Sequence, residues 1–290
     1  MTRRGALLFA SMCVIWGIPY LLIRVSVEEL SPATLVLART AIAAALLLPI
    51  AVHRRELRPL LPYWAPLLAF AGIEIALPWV LLGAAERHIT SSLTGLLLAA
   101  VPLVGVVIAR ERLGLQRGAG LLLGVAGVAA IVGVNVSGTR ISPLVEVGLV
   151  AVCYAVGPFI LQRWLSDLPA IGVIAASLGV TTLVYIPIAA FSLPAQMPSA
   201  KVLGSVLTLA VICTAIAFLL FFALIAEIGA ARATVITYAN PAVAAVLGVG
   251  LLGERFTPGM GVGFALVLAG SALATRHGGD APATSAPVWE

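Results

Sequence analysis

The chain has 290 residues, of which 61% are hydrophobic and 10% charged, with a mean hydropathy of +1.13. Soluble domains use about 45–50% apolar and about 25% charged residues, so the composition indicates a membrane protein and leaves no length for a separate soluble catalytic domain. The formal charge of +5 needs no nucleic-acid partner, because membrane proteins gather basic residues on their cytoplasmic side.

Apolar runs at 5–27, 31–52, 63–85, 90–109, 117–135, 144–165, 169–191, 201–226, 233–252 and 259–275 predict ten transmembrane helices. The first follows Arg3 and Arg4 as a signal peptide does, but it has Arg24 near its end, has no convincing A-x-A site and precedes nine more runs, so it reads as helix one. It carries Trp16, Pro19 and Tyr20. The second run carries Arg39, the third Glu74, Pro78 and Trp79, the fourth Pro102, the sixth Tyr154 and Pro158, and the ninth Tyr238, Asn240 and Pro241. Cys13, Cys153 and Cys213 each sit in an apolar run without C-x-x-C spacing and read as packing residues. Residues 277–290 lose the apolar pattern and read as a disordered tail. Lys and Arg near the span ends divide eleven to five between the two sides, which predicts an inner (cytoplasmic) membrane protein with both termini in the cytoplasm.

The two halves repeat. Glu111 to Gly127 reads ERLGLQRGAGLLLGVAG and Glu254 to Gly270 reads ERFTPGMGVGFALVLAG, both fitting E-R-x5-G-x-G-x5-A-G at an offset of 143. Ile15 to Arg24 echoes Tyr154 to Arg163 at an offset of 139, and Glu86 matches Glu227 at 141. The chain therefore divides into a first five-helix repeat, 1–137, and a second, 138–276. An odd number of spans per half makes the second copy enter from the opposite face, which gives an all-α membrane protein of two inverted repeats around a central cavity. Inverted repeats suit alternating access about a midplane site; the alternative is an old duplication that serves only packing.

Several chemistries are missing. Lys201, the single lysine, has no Gly-rich turn beside it, so there is no P-loop. His53, His88 and His277 form no H-E-x-x-H and lie at span ends or in the tail. The Gly-Gly-Asp at 278–280 is also in the tail. No enzyme activity, metal or cofactor is expected. The expected partners are a small-molecule substrate and the lipid bilayer, with a monomer as the unit.

Ionisable groups inside a span cost roughly 2.5–3.5 kcal/mol each on insertion scales and mark function by default. Arg39 lies about 12 Å into helix two and Glu74 about 16 Å into helix three, at 1.5 Å per residue. The matched depths predict contact between them, in which case Glu74 stays ionised and transport needs no proton gradient; held apart, Glu74 becomes the proton site. The two charges either neutralise each other for assembly or offer partners for a zwitterion, with Arg39 gripping a carboxylate and Glu74 an ammonium. Trp16, Tyr20, Trp79, Tyr154 and Tyr238 provide aromatic surface for a side chain, or simply packing. Pro78 and Pro158 free backbone carbonyls within their spans, and Asn240 adds an amide. Glu111-Arg112 and Glu254-Arg255 read as topological and gating-surface residues.

Trp16-Gly17 with Arg24 seven residues on, Arg39 within helix two, Pro102 ahead of Glu111-Arg112, and Asn240-Pro241 ahead of Gly253-Glu254-Arg255 together resemble the EamA-type transporters of the drug/metabolite transporter superfamily. The resemblance spans nearly the whole chain. It departs at Tyr154, where the second half often has Trp, and at the short spacing after Pro102. It implies ten helices in two five-helix halves and a secondary transporter, an exporter of small amphipathic metabolites. Similarity to aromatic amino-acid exporters within the superfamily implies amino acids, aromatic ones included. A channel or lipid-handling protein of the same architecture is the alternative.

Overall fold

The computed structural model describes residues 2–108, 115–135, 141–229, 233 and 235–275. Glu111-Arg112 and the expected tail lie outside them. All regular structure among the described residues is helical: α1 (Arg3–Ser26), α2 (Pro32–His53), α3 (Arg58–Ala85), α4 (Ser91–Ile108), α5 (Leu115–Asn135), α6 (Ile141–Leu165), α7 (Ala170–Ala190), α8 (Ala200–Ile228), α9 (Ile236–Leu252) and α10 (Pro258–Thr275). Seven of these, all but α5, α9 and α10, are long and apolar enough to cross a membrane; those three are shorter apolar helices over their described side chains. Leu122, Leu183 and Val246 are about 70% exposed (73%, 68% and 70%), as befits surfaces that meet lipid.

The sequence sets both the helix starts and their interruptions. Ser31, Thr90 and Ser199 each accept a hydrogen bond from the backbone N–H three residues on, at 3.0, 3.2 and 3.4 Å, and so cap α2, α4 and α8. Helix α1 breaks at residues 16–18, where Pro19 cannot donate to the preceding turn. Helix α4 breaks at Ala99 and Ala100, just before Pro102. π-Helical turns interrupt α3 at Ala71–Ala76, α6 at Leu161–Leu165 and α8 at Val211–Ile216. Such turns insert one residue and free a carbonyl. In α3 the Ala76 carbonyl accepts the Tyr185 hydroxyl from α7 at 2.9 Å.

Helix α2 packs along α7, α4 along α9 and α5 along α10, while α3 packs on α6 and α8 on α1. Exchanging the first five helices for the last five maps this set of pairs onto itself. The repeated glycines explain the α5–α10 seam. A Cβ on Gly120 would meet the Gly270 carbonyl at 2.7 Å, and one on Gly127 the Gly263 carbonyl at 2.6 Å, with Gly263 and Gly270 meeting Gly127 and Gly120 reciprocally at 2.6 Å. Backbone-to-backbone approach of this kind is how membrane helices associate without a hydrophobic driving force.

The second copy of the motif ties the α9–α10 turn to the start of α4. Gly253 ends α9 in the left-handed region at φ 66°, and the Glu254 N–H returns to the Gly248 carbonyl at 3.1 Å, a helix end that glycine permits. The turn delivers the Glu254 carboxylate to the start of α4. There it accepts the backbone N–H of Ser91 and Ser92 at 2.8 and 2.9 Å and their hydroxyls at 2.8 and 2.5 Å.

Candidate functional site

Arg39 on α2 is buried at 7% exposure. Its Nε donates to the Thr214 hydroxyl at 2.9 Å, and its guanidinium carbon lies 3.6 Å from the centre of the Trp79 ring. Among the described residues this Nε bond is the one hydrogen bond of the guanidinium, and the two terminal nitrogens meet no protein acceptor. Thr214 sits in the π-helical turn of α8 and its hydroxyl donates to the Leu209 carbonyl at 2.8 Å. It is therefore polarised to receive Arg39. Tyr20 of α1, Tyr154 of α6 and Cys213 of α8 lie within electrostatic reach of the same guanidinium.

Glu74 occupies the π-helical turn of α3. Its Oε2 is buried without a hydrogen-bond partner and rests against Gly157 of α6, in the space a side chain there would need. Tyr154 and Cys153 are its polar neighbours. The expected contact with Arg39 is not formed. Matched depth places two residues in one layer of the bilayer but does not fix which way each faces. Arg39 turns to α8 and Trp79, Glu74 turns to α6, and Tyr154 stands near both.

The other expected residues divide between this cluster and its surroundings. Pro78 and Trp79 are buried and Tyr20 and Tyr154 half-buried around Arg39 and Glu74. Trp16 packs into an aromatic group on α8, 4.7 Å from Phe221 and 5.8 Å from Phe218 between ring centres. Pro158 is exposed beside exposed Phe159, because Gly157 is the residue that this turn of α6 presents inward. Asn240, with its amide oriented to satisfy both partners, donates to the carbonyls of Cys13 and Ile236 at 3.2 and 2.9 Å. It braces α9 against the break in α1. Tyr238 is half-buried on the first turn of α9. Thr214 escaped the sequence reading, although it stands 140 residues after Glu74, between the offsets of 139 and 141 that relate the flanking repeats.

This geometry separates two aromatic roles. If the chain carries aromatic substrates, as the resemblance implies, Trp16→Ala should lower the thermal midpoint in detergent and reduce transport of every substrate alike, since its ring packs on Phe218 and Phe221. Tyr154→Ala should then weaken aromatic substrates selectively, by about five- to tenfold, the worth of roughly 1 kcal/mol of stacking. Counterflow with an aromatic and a small substrate, run beside a melting curve for each variant, distinguishes the two.

The chain also matches known proteins along its whole length. The model of the EamA-like transporter family matches twice, at residues 3–133 and 146–276. The uncharacterized inner membrane transporter YedA of Escherichia coli (strain K12) is 31% identical over 265 residues, covering 86% of this chain and 83% of that one. The uncharacterized transporter YvbV of Bacillus subtilis (strain 168) is 26% identical over 274 residues, covering 91% and 89%. A crystal structure with 21% identity superposes with a TM-score of 0.67 over 95% of this chain and 97% of its own, which speaks to fold alone. Two family matches in tandem, one on each half of a multi-pass helical membrane protein, agree with the repeat arithmetic, and the chain belongs to the EamA-like transporter family.

Proposed function

We propose that this transporter is a secondary carrier of small amphipathic metabolites, amino acids including aromatic ones foremost, which it exports by alternating access. In this reading all ten helices cross the cytoplasmic membrane, the halves 1–137 and 138–276 are inverted repeats around a central cavity, and both termini face the cytoplasm. One observation carries the substrate class: Arg39 has two uncommitted terminal nitrogens, Glu74 is separately unpaired, Tyr154 stands near both, and Tyr20 and Trp79 lie by Arg39. A guanidinium fork fits a carboxylate bidentately, an unpaired carboxylate fits an ammonium, and the rings receive an apolar side chain. Tyr20, Glu74 and Tyr154 keep part of their surface accessible although they lie deep in the bundle, which supports space beside them.

The test is counterflow in proteoliposomes with a panel of labelled amino acids, nucleosides and organic cations. Saturable, trans-stimulated exchange of zwitterions is the expected result, and flux without trans-stimulation would make the protein a channel. The topology is checked separately. Single cysteines at Gly114 and Pro258 should react with an impermeant maleimide from opposite faces, Gly114 from the cytoplasm, and labelling of both from one face would remove the inverted arrangement.

A further inference from the structure

Glu86 directly follows α3, past the last residue of the span, and is wholly excluded from solvent at 0% exposure. Neither of its carboxyl oxygens has a hydrogen-bond partner. Three titratable groups face it. Arg24 of α1 donates its guanidinium to the main-chain carbonyl of Glu86 and not to the carboxyl. Tyr20 lies one turn earlier on α1. Glu254, the residue that clasps the start of α4, is the third. The adjacent charges are turned elsewhere: Arg87 donates to the Leu30 carbonyl at 3.0 Å, and exposed His88 lies by Glu146.

The two neighbouring carboxyl groups are unlike. Glu254 receives four donors, two of them backbone N–H groups at a helix start where negative charge is favoured. Glu86 receives none. The one set of donors serves Glu254, so ionising Glu86 means burying an unpaired charge beside a second carboxyl. Burial first and the Glu254 charge second push the Glu86 carboxyl well above its usual range, with Arg24 pulling the other way.

We infer that Glu86 is a proton-binding site built into the gate that Glu254 closes, so that the closed gate holds one proton more than the open gate and acid keeps it shut. When Ser91 and Ser92 withdraw from Glu254, water reaches Glu86 and its carboxyl falls back toward the ordinary carboxylate range. A group raised in the closed form favours closure fully below the open-form value and loses that contribution as pH rises through the closed-form value. The window therefore begins at the ordinary carboxylate range and runs upward. The ligand is the proton itself. The inference depends neither on the substrate at Arg39 nor on which membrane face the gate occupies.

The test uses the full chain in detergent micelles, where sidedness does not enter. A cysteine at Ala244, whose methyl faces Gly95 across the α4–α9 seam, reports opening through its maleimide labelling rate. A second cysteine, at exposed Met197, corrects for thiolate content. The corrected rate at Ala244 should rise at least about fivefold between about pH 5 and about pH 8, as one linked proton allows. With Glu86→Gln, a neutral isostere, it should stay slow and flat. A flat profile in the chain that keeps Glu86, or the same rise in Glu86→Gln, overturns the proposal. Should Glu86→Gln fail to fold, infrared spectroscopy of the chain carrying Glu74→Gln and Glu146→Gln, which removes the other buried carboxyls with an unpartnered oxygen among the described residues, decides: a protonated-carboxyl band that persists above the ordinary carboxylate range and fades with rising pH is required, and its absence overturns the proposal equally.

Discussion

Arg39→Met is expected to abolish saturable transport while leaving the folded protein at least as stable as before. Most buried residues behave the other way, and the difference lies in what Arg39 touches. Its placement inside a span costs roughly 2.5–3.5 kcal/mol on insertion scales. What it receives in return within the protein is one hydrogen bond to Thr214 and the face of Trp79. Neither partner is orphaned by its removal: the Thr214 hydroxyl keeps its bond to the Leu209 carbonyl, and Met packs on the Trp79 ring. Transport should respond very differently. Two charge-assisted hydrogen bonds to a substrate carboxylate are worth about 1.5–3 kcal/mol each, so their loss amounts to about 100-fold or more in apparent affinity. Arg39→Lys should recover only a minor part, since a point charge lacks the planar fork. Counterflow and the thermal midpoint of the same preparations give the answer. A lower midpoint with transport retained would make Arg39 a structural residue.

Much of this architecture can be read in the residues, and what cannot has identifiable causes. The E-R-x5-G-x-G-x5-A-G repeat marks the duplication, and four of its glycines turn out to be the α5–α10 seam, a packing role that spacing alone does not disclose. Depth along a span is legible from residue counting, and Tyr154 stands near both Arg39 and Glu74. Their orientation is not legible that way. A π-helical turn adds one residue, and so about 100° of rotation, to everything beyond it, and Glu74 and Thr214 both sit inside such turns. A regular helical wheel therefore misplaces the faces of α3 and α8. The same limit accounts for Pro158, four residues after Tyr154 but facing outward, while Gly157 accommodates the Glu74 carboxylate. Thr214 was within reach of the repeat offset. The Glu254 clasp was not, because it depends on a left-handed glycine turning the chain back toward a helix start in the other half.

An imposed pH step should drive substrate accumulation, and Glu74→Gln should abolish that drive while sparing counterflow. Had Arg39 held Glu74, the pair would have been neutral and independent of the gradient. Arg39 instead engages Thr214 and Trp79, and the Glu74 Oε2 rests against Gly157 without a donor. A carboxylate in that position is neutralised either by a proton or by the ammonium of a bound substrate, since leaving its charge unpaired in a span is costly. Under the proposed function the two would compete for the same oxygen, so that each passage of substrate one way is expected to be exchanged for a proton passing the other. Vesicles acidic inside should then accumulate labelled substrate, by up to about tenfold per pH unit for one-to-one exchange. Glu74→Gln removes the proton from the cycle but leaves Arg39 and the rings, so homoexchange continues at lower affinity for zwitterions. Gly157→Ala offers an independent check, because its methyl would occupy the place of Oε2 and displace the carboxylate without touching its chemistry. Gly157→Ala should blunt the pH-driven component first. Accumulation that ignores the pH step in the unaltered protein, or that survives Glu74→Gln, would place the coupling elsewhere and return Glu74 to a role in substrate binding alone.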